Sequence, residues 1–182
     1  MPGEETKLEE LVLFLAGELK DQGAAGATKL NKLLFYCDFV HVREHGRPIT
    51  GAEYQRLPQG PAPRRLVPVR AQLVERGDAE LREEAYLGRV QHRLVPLRDP
   101  DLSVFDADER ETIRRVLGEL GHMNGAELTA LSHQELAWEL LANGETIPYS
   151  GAFLRRGSPG QRTHELASKL LAELPPEITE RF

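Results

Sequence analysis

The chain has 182 residues, 40% hydrophobic and 29% charged, with 23 basic and 29 acidic side chains and a net charge of −6. That length and mix predict one soluble globular domain able to bury a core without help from a metal or a disulfide. One cysteine, Cys37, excludes an internal disulfide; no apolar run reaches membrane-spanning length and the start MPGEETKLEE is acidic, so a cytoplasmic protein with no membrane partner is expected.

In chain order, Thr6 with Glu9 has the spacing of a capping box, and Leu8, Leu11, Val12, Leu15 and Leu19 follow helical periodicity behind it. Glycines between 23 and 26 end that helix. Thr28 is expected to cap a second helix that runs to Gly46. The stretch from Arg47 to Pro63 holds four prolines, which leaves room for a loop and a short strand around Tyr54. A third helix is expected from Arg64 to Gly77. Residues 80–98 read as a hairpin turning at Leu87-Gly88, with Val90, His92 and Leu94 on one face. Asp106 with Glu109 opens a fourth helix ending near Gly121, Asn124 with Glu127 a fifth, and Ser132 with Glu135 a sixth that runs through Trp138 to Gly144. Ser158-Pro159 with Gln161 opens a last helix to Leu174. The expected fold is therefore mainly α, a compact domain of six to seven helices with a small hairpin or sheet. It divides into a domain over 1–150 and a one-helix extension over 151–182.

Within the second helix, His41, Glu44 and His45 spell H-x-x-E-H, a string in which two imidazoles on one helix face can hold zinc. Against that, His41 falls in the apolar arc of Leu30, Leu33, Leu34, Cys37 and Val40, and His45 stands at the helix end, where a cation suits the dipole. No third ligand is identifiable, so neither metal nor any other cofactor is expected. Asn31, Asp38 and His45 form a polar stripe on this helix, read as a buried network pairing Asp38 with a Lys, an Arg or His133; the alternative is a polar contact site. Gly60-Pro61 is expected to make a rigid turn delivering Arg64-Arg65 to a helix start, as a solvated pair or as a contact for phosphate or an acidic partner. Trp138 is expected in the core. In the tail, Phe153-Leu154 looks exposed, and Leu166, Leu170, Leu171 and Leu174 share a helix face that packs on its own domain or receives a partner.

Longer motifs add a family resemblance. Thr28, Lys29, Leu30, Lys32, Leu33, Leu34, Tyr36 and Asp38, then Gly46, Pro48, Ile49, Thr50, Gly51, Tyr54, Gly60 and Pro61, resemble the opening helix and turn of the Panacea domain of SocA-like antitoxins. Leu131, Ser132, His133 and Trp138, closed by Ile147 and Pro148, resemble its later helices, and together the blocks run from about residue 7 to 150. The resemblance implies a helical domain with a small β element, no catalytic centre, and an antitoxin that binds a cognate protein toxin. A homo-oligomer is a further possible assembly. The competing reading is a DNA-binding regulator of its own promoter, with the 80–98 hairpin as a wing and arginines at 64, 65, 70, 76, 114, 115, 155, 156 and 162 on phosphates.

Overall fold

The computed structural model describes residues 3–23, 26–86 and 88–154. Its centre is α2 (Ala27–His45), an apolar helix whose few polar side chains are drawn inside with it; Lys29, Lys32, Asp38 and His41 are all buried. Neighbouring elements cover α2 along most of its length, and in its last turn Glu44 and His45 are exposed. Helix α1 (Glu4–Glu18) packs on it through Leu8, Leu11, Val12 and Leu15. On other sides lie α4 (Ala107–Leu120), α5 (Gly125–Ser132) and a 3-10 turn at Tyr149–Phe153.

Two small antiparallel sheets complete the structure. In the first, β1 (Tyr54–Leu57) lies between β2 (Gly60–Pro63) and β5 (Thr146–Ile147). The second is a hairpin of β3 (Ala79–Tyr86) and β4 (Arg89–Pro96), in register from Ala79↔Pro96 to Tyr86↔Arg89. Between the sheets runs α3 (Leu66–Glu75), and α6 is a single turn, Leu136–Glu139. The described residues thus hold six α-helices and two small sheets, an α+β arrangement in which helices dominate.

Several expectations are corrected. Thr6 and Thr28 cap nothing: the N-caps are Gly3 and Gly26, both extended, and each threonine already lies inside its helix. Nothing in Glu4-Glu5 or Ala27 resists helical backbone angles, so both helices begin earlier. Ser132 does not open the sixth helix either. It ends α5, its hydroxyl donating back to the Thr129 carbonyl at 2.9 Å, and α6 is shorter than expected. The hairpin forms where expected, but of Val90, His92 and Leu94 only Leu94 is buried, because only the base of the hairpin packs against α1 and α2.

β2 was not expected, since its sequence GPAP lacks two N–H donors. It is an edge strand in which Arg64 donates its N–H to the Glu53 carbonyl, so the even-numbered residues face β1. Pro61 and Pro63 then turn their missing donors away from β1, so no ladder bond is lost. Packing continues past residue 150: Gly151 and Ala152 are buried, and the Ala152 carbonyl accepts from Arg43 Nε at 2.7 Å. The expected C-terminal helix, with Leu166 and Leu170, lies outside the described residues. Among those that are described, no helix is long and apolar enough to cross a membrane.

Candidate functional site

Most of the motif residues gather into two clusters along α2. In the first, the fully buried Asp38 carboxylate closes the Pro48–Gly51 turn against the helix. Its Oδ1 accepts the backbone N–H groups of Ile49 (2.8 Å) and Thr50 (2.7 Å), and its Oδ2 accepts the hydroxyls of Thr50 (2.5 Å) and Tyr54 (2.7 Å). Burial pushes the Asp38 carboxyl up, and these four donors pull against it. The Tyr54 ring meets Phe35, Phe39 and Tyr149 edge-on. Of the polar stripe, Asp38 is buried and satisfied inside, with a turn and a tyrosine as partners rather than a cation or His133, whereas Asn31 is half-buried and His45 exposed.

The second cluster joins α2, β1–β2 and the α5–α6 junction. Lys32 is buried and makes one hydrogen bond, to the Pro61 carbonyl at 3.1 Å; with no carboxylate beside it, burial pushes its pKa down to about 8. Gly60 has a φ of +96°, and a Cβ there would stand 2.7 Å from Lys32 Cε, 2.8 Å from its Nζ, and against the Ser132 hydroxyl. Glycine is thus demanded twice, by the backbone angle and by the space. His133 stacks on Trp138 with centroids 3.9 Å apart and rings 10° from parallel, while the Arg56 guanidinium sits 4.3 Å from the indole centroid. Trp138 Nε1 donates to the Leu57 carbonyl at 3.0 Å. The indole is half-buried against the core, less deep than expected. Burial lowers the His133 pKa, nearby Lys32 and Arg56 lower it further, and a bond to the Pro58 carbonyl opposes them.

Within this cluster Tyr36 is buried with its hydroxyl unpartnered, as is Nε2 of His133. Burial raises the Tyr36 pKa, with Glu135 adding to it and Arg43 opposing. Those two residues form an ion pair at 2.7 Å over the same stretch of α2. Lys29 is separate, its ammonium donating to Gln22 (2.5 Å) and to the Gly121 carbonyl (2.6 Å).

The imidazoles of H-x-x-E-H do not converge on a point. His41 and His45 stack face to face, centroids 4.3 Å apart. The Thr112 hydroxyl gives its hydrogen to the Asp108 carbonyl, so at 2.9 Å it accepts from His41 Nδ1–H. Glu44 is bound by Arg115. Among the described residues no group of three His, Cys, Asp or Glu is placed to hold a metal ion.

Of the arginines read as a possible phosphate surface, those at 155, 156 and 162 lie outside the described residues, Arg70 is half-buried with its Nε unpartnered, Arg114 stands near Glu111, and the others are engaged within the chain. Arg64 bonds Glu53, Gln55, Thr146 and the Gly144 carbonyl, staying exposed while it ties β1 to β5. Arg65, also exposed, is the N-cap position of α3 and has a partner of its own. Arg76 pairs with Glu9 and Asp78, and Arg115 with Glu44. The exposed apolar side chains include Leu140 (70% accessible), Phe153 (54%) and Leu154 (44%), as the sequence led one to expect for the last two. Arg56 escaped the sequence reading altogether. Only its approach to Trp138, 82 residues away, marks it, and no local pattern records that contact.

In this small α+β domain the motif side chains fix a turn and a stack. The chain belongs to the antitoxin SocA-like, Panacea domain family, whose family model matches residues 30–139, from the first turn of α2 through α6. No curated protein and no solved structure is significantly similar to it.

Proposed function

We propose that this chain is an antitoxin that neutralises a cognate protein toxin by direct contact in the cytoplasm, without catalysis and without a cofactor. The observation that carries this reading is the family match, which spans well over half of the chain and takes in both motif clusters. Family membership gives a toxin as the class of partner; which toxin it is depends on the genetic neighbour. The geometry supports contact rather than chemistry. Two buried charged groups of the motifs, Asp38 and Lys32, each face backbone or hydroxyl partners inside the fold. Leu140, Phe153 and Leu154 add exposed apolar area of the kind that protein interfaces cover.

The test is co-expression of the tagged chain with the product of the adjacent gene. A complex of fixed stoichiometry, isolated by affinity capture and sized in solution, is the expected result. A neighbouring product that is harmless alone, or that never co-purifies, removes the reading.

A further inference from the structure

Most of the cationic side chains that lie near acids in this chain are neutralised by them. Arg43 pairs with Glu135, Arg47 with Asp106 and Glu109, Arg98 with Glu10 and Asp78, and Arg64, Arg76 and Arg115 are paired as described above. Around the single tryptophan the situation differs. Lys32, Arg56 and His133 have no carboxylate partner among the described residues, and each has hydrogen-bonding capacity left over. Lys32 uses one donor of three. Nε of Arg56 is enclosed with no acceptor, the guanidinium being held by the indole face alone. His133 lies within the influence of the Pro58 carbonyl, and its Nε2 is enclosed with no partner. Lys32 and Arg56 both lower the affinity of His133 for a proton, so the three groups feel one another.

Two cations without counter-charge, Lys32 and Arg56, set in a partly dehydrated wall beside the His133 ring, concentrate positive potential where it is weakly screened. The unmet donors of Lys32 and Arg56 call for a missing acceptor. One incoming group answers both conditions, an anion with two acceptor oxygens that fits an arginine fork. The chain carries a net charge of −6, which opposes a long polyphosphate chain more than a short acidic segment.

We propose that Arg56, Trp138 and His133, backed from the interior by Lys32, are the docking site for an acidic segment of the partner protein, with an aspartate or glutamate carboxylate seated on the Arg56 guanidinium beside the indole. The identity of that partner as a toxin rests on the antitoxin reading; the chemistry of the site does not. Gly60 has a place in it as well, since only a residue without Cβ leaves the Lys32 ammonium where it stands.

Trp138 is the only tryptophan, so its fluorescence reports on the site directly. Titration of the full chain at low salt with octaglutamate is expected to change the emission saturably, and octalysine is expected to leave it unchanged. Arg56→Glu weakens octaglutamate binding at least about tenfold. Lys32→Met, a swap that keeps the buried volume, weakens it several-fold, and provides the reading if Arg56→Glu fails to fold by circular dichroism. Arg114→Glu, on the exposed side of α4, titrates as the wild type does. An emission indifferent to octaglutamate, or variants at Arg56 and Lys32 that bind as well as the wild type, overturns the proposal. So does tighter binding of a sixteen-residue oligothymidylate through the same two side chains, which would make the ligand a phosphodiester. Growth rescue alongside a silent octaglutamate titration sinks this site and leaves the antitoxin reading intact. Octaglutamate binding without rescue does the reverse.

Discussion

Replacing Asp38 by asparagine keeps the size of the side chain and exchanges one acceptor oxygen for a donor, which then confronts groups that now donate to it. Either the N–H pair of Ile49 and Thr50 or the two hydroxyls lose their acceptor inside the core. Each stranded donor costs about 1–3 kcal/mol, so Asp38→Asn is expected to lower the unfolding free energy by about 3 kcal/mol in urea titrations. An unchanged midpoint would show that the turn is held by something else. His41 gives a dependence on pH. Burial depresses its pKa below 6.5, the stacked His45 and nearby Arg47 depress it further, and Glu109 and Asp106 act the other way. The unfolded chain therefore binds this proton more readily than the folded one. The contribution is whole above pH 6.5, declines as the pH falls from 6.5 toward the lower folded value, and levels off below it. Unfolding midpoints measured from pH 7.5 to 5 are expected to fall in the wild type, with a smaller fall in His41→Gln. A variant that matches the wild-type slope would assign the decline to other groups. At this scale the sequence was legible only in part: Asp38 could be read as buried and satisfied, but its partners could not, because the donors come from a turn 11 to 16 residues on.

Among the elements, helix ends were readable wherever a side chain or a glycine fixes them locally. Asp106 with Glu109 and Asn124 with Glu127 both form complete capping boxes, and Gly46 closes α2 at a φ of +74°. The same pattern misled at Thr6 and Ser132, and a lone threonine did so at Thr28. A threonine or serine followed three residues on by an acidic residue also occurs inside a helix, where the hydroxyl turns back to its own backbone. β2 was hidden because proline reads as a strand breaker, and only the pairing partner reveals that its missing donors point outward. Gly60 tests that reconstruction. An alanine there must hold a left-handed backbone angle and press on Lys32 and Ser132 together. Gly60→Ala is expected to cost about 3 kcal/mol, the sum of a backbone and an overpacking penalty, seen as a lower thermal midpoint. A variant as stable as the wild type would mean that β2 and α5 stand further apart than described.

Over the whole molecule, ion pairs link segments distant in sequence around the apolar core. Lys7 and Arg47 meet on the buried Glu109, joining α1 and the turn after α2 to the start of α4. Arg98, Glu10, Asp78 and Arg76 tie the base of the hairpin to α1. Helical dominance with a small sheet was apparent from periodicity and breakers, since these are local properties. The gathering of Lys32, Arg56, His133 and Trp138 was not, because it joins segments from 32 to 138 through tertiary packing alone. What unites the scales is a rigid wall, set by Asp38 and Gly60, that presents an unneutralised basic stack to a partner. The most direct test is growth of cells expressing the adjacent gene product, with the wild-type chain or its Arg56→Glu variant supplied in trans. Rescue by the wild type, and its loss in a variant that still folds, is the predicted result. Toxicity that the wild-type chain fails to relieve would contradict the antitoxin reading.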